Sequence, residues 1–179
     1  MVATKNLCRV DLMRQGTGFS GATGSWDALR AAAIIDEHRR LDGAMLPILH
    51  ALQHSFGYID KSCVPVIADA LNVSKAEVHG VITFYHDFRE APAGRHVLKL
   101  CRAEACQSMG CEALVAHLAR THRLAPGETS KDGAITIETV YCLGNCALSP
   151  AALLDGELIG RLDADALDAI VLDATGMRS

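Results

Sequence analysis

Apolar positions recur at helical spacing up to about residue 90, and short alternating runs appear between helical stretches beyond residue 95. The first stretch, residues 26–41, opens after Ser25 as a cap and is broken by Asp42-Gly43. A second helix carries Met45, Ile48, Leu49, Leu52 and Phe56 on one face, with Gly57 as its stop. Pro47 is compatible with that helix because it falls in the first turn. A third helix spans 63–71, with Ser62 as its cap and Pro65 again in the first turn. A fourth begins at Ser74-Lys75-Ala76-Glu77, a capping box in which Val73 and Val78 stand where a hydrophobic staple would. Its apolar face is Val78, Val81, Ile82 and Tyr85. Residues 26–90 are therefore expected to form a helical bundle, residues 91–94 (Ala-Pro-Ala-Gly) a linker, and residues 1–25 a flexible tail.

The second half follows a different pattern. Residues 96–100 form a short β run that leads into Cys101, and a helix over 111–122 turns Leu114, Val115 and Leu118 inward. Residues 134–141 alternate Ile135 and Ile137 with Thr136 and Glu138, a strand that leads into Cys142. Asp155-Gly156 between residues 151–154 and 157–159 signals a type I′ hairpin. Asp163 caps a last helix through Leu167, Ile170 and Val171. The order β-α-β-β-β-α over residues 95–175 suits a separate α/β layer, and the whole chain is expected to be α+β.

Composition narrows the partners. Half of the 179 residues are apolar but only 4% are aromatic, so aliphatic side chains must supply most of the core. A net charge of -4 and a pI near 6.0 do not suit a nucleic-acid or anionic-membrane binder. No apolar run approaches the roughly 20 residues that span a bilayer, and residues 1–25 lack the features of a secretory signal. A cytoplasmic protein without direct membrane insertion is the expectation.

Seven cysteines in such a chain point to a metal or redox site rather than a disulfide framework. Four of them form two pairs, Cys101 with Cys106 and Cys142 with Cys146, each placed directly after an expected strand. Loops beyond the strand ends of an open α/β sheet gather at one edge, which brings the pairs together. Four thiolates can complete a 2Fe–2S core or hold a structural zinc, and spacing alone leaves the two equally open. Gly144 permits close backbone approach, and Ser108, Gly110 and their neighbours open a helix whose free N–H groups are expected to face a bound anion. Cys111, Cys63 and Cys8 read as bystanders, the first two as buried thiols.

The motifs Cys101-Arg-Ala-Glu-Ala-Cys106 and Tyr141-Cys-Leu-Gly-Asn-Cys146 resemble the thioredoxin-like 2Fe–2S subunit family of respiratory NADH dehydrogenase, complex I. The block from Val78 to Tyr85 looks like the Val-x-x-Val-x-Thr-Phe-Tyr block of that family. Within it, His79-Gly-Val-Ile-Thr-Phe-Tyr-His-Asp-Phe-Arg89 looks most like the gamma subunit of NAD-dependent formate dehydrogenases. The resemblance implies a thioredoxin-like 2Fe–2S domain and one cluster held by Cys101, Cys106, Cys142 and Cys146. It implies electron exchange with an FMN- and NAD-binding subunit, and a molybdenum- and iron–sulfur-containing catalytic subunit where formate is oxidised. FMN, NAD and the molybdenum pterin belong to those partners, and no catalytic residue or isolated activity is expected of this chain. The equivalent subunit of complex I or of a NAD-linked hydrogenase is the alternative.

A rival from another class is a DNA-binding regulator, because Ile67 to Val78 scans as a helix-turn-helix. The second helix soon becomes apolar and lacks the Arg, Lys, Asn or Gln that read a groove, so the bundle is the better reading. The eight histidines form no compact metal motif. His50 and His54 share a helix face at a spacing that binds zinc only when carboxylates join them. Phe84, Tyr85 and Phe88 read as packing or partner-docking residues.

Overall fold

A computed structural model describes residues 26–176; the expected tail, with Cys8 and the cap Ser25, lies outside them. The helices α1 (Ala28–His38), α2 (Met45–Phe56), α3 (Cys63–Leu71) and α4 (Lys75–Phe84) come first. The second half is β1 (His96–Cys101), α5 (Glu104–Ser108), α6 (Cys111–Thr121), β2 (Ile135–Val140), β3 (Ala152–Leu154), β4 (Glu157–Ile159) and α7 (Ala164–Ala174).

The cap of α1 is Asp27, whose Oδ1 accepts from Leu29 N at 2.9 Å and Arg30 N at 3.3 Å. Trp26 is thereby left ahead of the helix, with its ring 4.8 Å from that of Phe56. The helix stops at His38 instead of near Leu41, since its buried residues are Ala31 and Ile35 and Leu41 is exposed. Gly57 ends α2 with φ +81°, as its position suggests. Ser62 makes no side-chain cap bond; Asp60 Oδ1 accepts from Ser62 N at 2.8 Å instead. The capping box of α4 is complete, with Glu77 N donating to Ser74 Oγ and Ser74 N to Glu77 Oε2. These helices enclose one apolar cluster that includes Ile48, Leu49, Leu52, Phe56, Ile67, Val78 and Ile82. The chain leaves the helical conformation at Tyr85, so Tyr85 and Phe84 are exposed while Phe88 turns into the core.

The sheet has the order β2-β1-β3-β4, with β1 and β2 parallel and both other pairings antiparallel. Asp155 and Gly156 both have positive φ, as a type I′ turn requires. Asp163 caps α7 through Ala166 N at 2.8 Å. A second apolar cluster fills the space between sheet and helices, with Leu98, Leu118, Ile135, Ile137 and Leu167 at its centre. The segment read as a linker is docked: Gly94 N donates to Thr136 Oγ1 at 2.7 Å. A Cβ at Gly94 would meet Gly133 O and the Ile135 backbone at 3.0 Å.

Polar groups tie the helical half to the sheet. Buried Gln53 donates to Asp87 O at 2.6 Å and accepts from Arg89 N at 2.7 Å, which fixes the segment after α4. Arg89 Nε then reaches Glu138 on β2 at 2.6 Å, and Lys99 on β1 lies between Asp87 at 3.2 Å and Glu138 at 3.4 Å. Among the described residues no helix is long and apolar enough to cross a membrane.

Candidate metal centre

Parallel pairing of β1 with β2 sets Cys101 opposite Val140, so both chains leave the sheet at the same edge. Cys101 is the last residue of β1 and Cys142 follows β2 by two residues. Neither pair lies wholly in the loop that follows its strand. Cys106 sits inside α5, a single turn too short to show periodicity, and Cys146 opens a 3-10 turn, Cys146–Leu148. Cys101 and Cys106 are buried together with Cys111 and Ala151, whereas Cys142 and Cys146 are exposed.

The Sγ atoms of Cys142 and Cys146 are 3.9 Å apart. Tetrahedral coordination with ~2.3 Å metal–sulfur bonds separates sulfurs by about 3.7 Å, so this pair already stands at the distance one metal ion demands. The donor set fits a thiolate-ligated cluster. Burial works against the Cys101 thiolate, but hydrogen bonding from the Ala103, Cys142 and Leu143 amides and the Cys106 thiol outweighs it and holds Cys101 below the ordinary thiol range. Gly144 N donates to Cys142 Sγ at 3.4 Å. The loop needs unusual backbone to aim these groups: φ is +96° at Cys142 and +76° at Gly144. Next to Cys142, Cys146 is pushed up, because the neighbouring thiol and its charge resist a second anion. Two adjacent thiolates without a cation are electrostatically unfavourable.

Ser108 and Gly110, expected to serve a bound anion, bond locally. Gly110 N donates to Gln107 O at 3.0 Å and Ser108 Oγ to Ala105 O at 2.9 Å. Donors to sulfur come instead from Ala103 and the loop 142–144, and only the tertiary approach of that loop to β1 could reveal them. Ser149 is another site residue the sequence did not flag. Its Oγ accepts from the Cys106 thiol at 3.6 Å and donates to Cys146 O at 2.7 Å, linking the buried and exposed pairs. Cys111 is a buried thiol in the same apolar cluster, pushed up first by burial and then by Glu112. Cys63 lies in the helical core, where burial and then Asp60 push it up to about 12.

The histidine picture changes too. His50 and His54 line a groove of about 510 Å³ with His38, Pro47, Ala51 and Gln53. The fold instead gathers His117, His122 and Asp168, a set the sequence does not group because Asp168 comes from a different helix.

The family model described as thioredoxin-like [2Fe-2S] ferredoxin matches residues 31–175. An NADH-quinone oxidoreductase subunit of Rhizobium meliloti is 37% identical over 145 residues, covering 81% of this chain and 85% of its own length. An NADH-quinone oxidoreductase subunit of Salmonella typhimurium is 30% identical over 146 residues, covering 80% and 88%. Among solved structures, the NAD+-reducing [NiFe]-hydrogenase in the air-oxidized state aligns with a TM-score of 0.59 at 25% identity. That alignment covers 73% of this chain and only 23% of the hydrogenase chain, so the likeness concerns one part of a much longer protein. On the span and strength of these matches, the chain belongs to the thioredoxin-like [2Fe-2S] ferredoxin family.

Proposed function

We propose that Cys101, Cys106, Cys142 and Cys146 ligate one 2Fe–2S cluster, and that the chain relays single electrons within a NAD-dependent formate dehydrogenase. The observation that carries the ligand set is the convergence of four thiols at one sheet edge, two buried and two exposed. Bound there, the cluster supplies one-electron redox chemistry. The chain's own groups do the rest. The Ala103, Cys142 and Leu143 amides and Gly144 N offset negative charge on sulfur, while the buried pair excludes water from one side.

Exposed Tyr141, Met109 and Leu148 lie near the cysteines in sequence and supply an apolar rim for a partner. We assign that partner as an FMN- and NAD-binding subunit, because single-electron carriers let a two-electron hydride donor be emptied stepwise. A molybdenum- and iron–sulfur-containing subunit completes the assembly, which works in the cytoplasm. The names of the relatives support an NAD-linked complex; the block from His79 to Arg89 supports formate as its substrate. We also read residues 26–90 and 95–175 as two working units, since each surrounds its own apolar cluster.

Purification of the tagged chain from its native host tests the assignment. The expected result is a complex with flavin- and molybdenum-containing subunits that reduces NAD+ with formate, an activity the isolated chain lacks. Copurifying quinone-oxidoreductase or nickel–iron hydrogenase subunits would overturn formate but keep the relay role. A solitary protein would overturn both.

The loop around Cys146 offers a subtler check. A Cβ at Gly160 would stand 2.7 Å from Leu148 Cβ and 2.8 Å from Asn145 Nδ2, crowding both flanks of Cys146. Arg161 N also donates to Leu148 O at 2.6 Å, so the turn has little freedom to retreat. Overpacking of this kind costs about 1–3 kcal/mol. Gly160→Ala is expected to bind the cluster but release iron to a chelator several-fold faster than the parent, followed by loss of visible absorbance.

A further inference from the structure

His117 on α6 and His122 at its C-terminal cap meet Asp168 on α7. Nε2 of each histidine lies 2.7 Å from the same oxygen, Asp168 Oδ1. The three side chains are 19%, 11% and 30% exposed, so the cluster is largely shielded yet open to one small ligand. All three candidate ligand atoms fall within 4.8 Å of one another, and the two rings stand at 72° with centroids 6.4 Å apart. The group is separate from the cysteines: His122 lies about 16 Å along the helix from Cys111, at ~1.5 Å per residue.

We propose that His117, His122 and Asp168 bind one zinc ion, with water in the fourth position, and so clamp the end of α6 to α7. Two imidazole nitrogens and a carboxylate oxygen are a zinc donor set. Tetrahedral bonds of ~2.0–2.1 Å hold ligand atoms about 3.3 Å apart, so each 2.7 Å contact must open by about 0.6 Å, within the reach of small side-chain rotations. Asp168 is ready as an anion, held below the usual carboxylate range first by the hydrogen bond from His122 and, against a smaller opposing effect of burial, by His117. Each coordinated ring offers its Nε2 lone pair to zinc and carries its remaining hydrogen on Nδ1. For His117 that form requires exposed Arg120 to turn away, since its Nη2 lies 3.4 Å from His117 Nδ1. This contact is long and on the solvent side, a minor loss against three metal bonds.

The test uses the full chain with its cluster assembled and loose metal removed by a chelator. Calorimetric titration with zinc is expected to show one equivalent bound at micromolar affinity or tighter, with the cluster absorbance unchanged. Cobalt(II) in its place should give a difference spectrum with d–d bands and no intense thiolate-to-cobalt band. His122→Gln and Asp168→Asn should weaken zinc binding at least about tenfold with circular dichroism unaltered. Zinc-edge X-ray absorption on the parent chain keeps the proposal testable if a variant folds poorly: a shell of nitrogen and oxygen supports it. Sulfur in that shell, parental affinity in both folded variants, or no binding up to about 1 mM would each overturn it.

Discussion

Cys106→Ser is expected to abolish the 2Fe–2S signature, with iron and acid-labile sulfide falling from two of each per chain to near none after anaerobic purification. The same holds for Cys101→Ser, whereas Cys142→Ser and Cys146→Ser are expected to lose or alter the cluster. Serine oxygen is a hard donor and a poor substitute for thiolate. Position sharpens the expectation. Cys101 and Cys106 are buried, so a serine there has no room to recruit water as a replacement ligand, while the exposed pair has solvent at hand. Cys111→Ser is the informative control, because its sulfur is buried beside those of Cys101 and Cys106 yet begins a different helix. It should keep two irons, two sulfides and a one-electron paramagnetic signal on reduction. Retained iron in Cys106→Ser together with iron loss in Cys111→Ser would reassign the ligand.

Phe84→Glu and Phe88→Glu are expected to fail in opposite ways. Phe84 is 72% exposed and carries no share of the core, so its replacement should leave the melting temperature nearly unchanged. If Phe84 and its neighbour Tyr85, read from the sequence as packing or partner-docking residues, form part of the partner contact, the recovered flavin-binding subunit should drop by about tenfold, the consequence of losing one aromatic anchor. Phe88 is 8% exposed, belongs to the helical core and stands 5.0 Å, centroid to centroid, from His50. A carboxylate placed there must be desolvated or remain protonated, at a cost of several kcal/mol against a total stability of about 5–15 kcal/mol. Phe88→Glu should therefore unfold the bundle, read by loss of helical circular dichroism and a collapsed thermal transition. Normal copurification with a folded Phe84→Glu chain would remove that residue from the interface.

Features whose cause lies within a few residues were the most legible in the sequence. The Ser74–Glu77 capping box, Gly57 as a helix stop, the Asp155-Gly156 turn and the Asp163 cap all stand where local chemistry put them. The cysteine pairs were legible for a related reason: each begins at or just past a strand end, and parallel strands emptying at one edge bring their trailing residues together. Local reading went astray where two nearby residues competed. Asp27, not Ser25, caps α1, and Ser62, the expected cap of α3, makes no side-chain cap bond while its own amide donates to Asp60. The turn α5 escaped notice because five residues do not complete a periodic pattern.

The sequence by itself determined which residues can form helices, strands and turns, and which side chains can bind metal, because dihedral preference, capping and thiolate chemistry are properties of short segments. Tertiary structure decided how those groups face one another. It buried Cys101 and Cys106 while leaving Cys142 and Cys146 exposed, and it directed the Ala103, Cys142 and Leu143 amides toward Cys101 in place of the expected helix start. It sent Phe84 outward and Phe88 inward, four residues apart, because α4 ends between them. It also joined His117 and His122 to an aspartate 46 residues beyond the nearer of them, through the packing of α6 and α7 on one apolar cluster. Such pairings depend on the hydrophobic burial that selects one arrangement of elements, and burial is summed over the whole domain rather than written into any one segment.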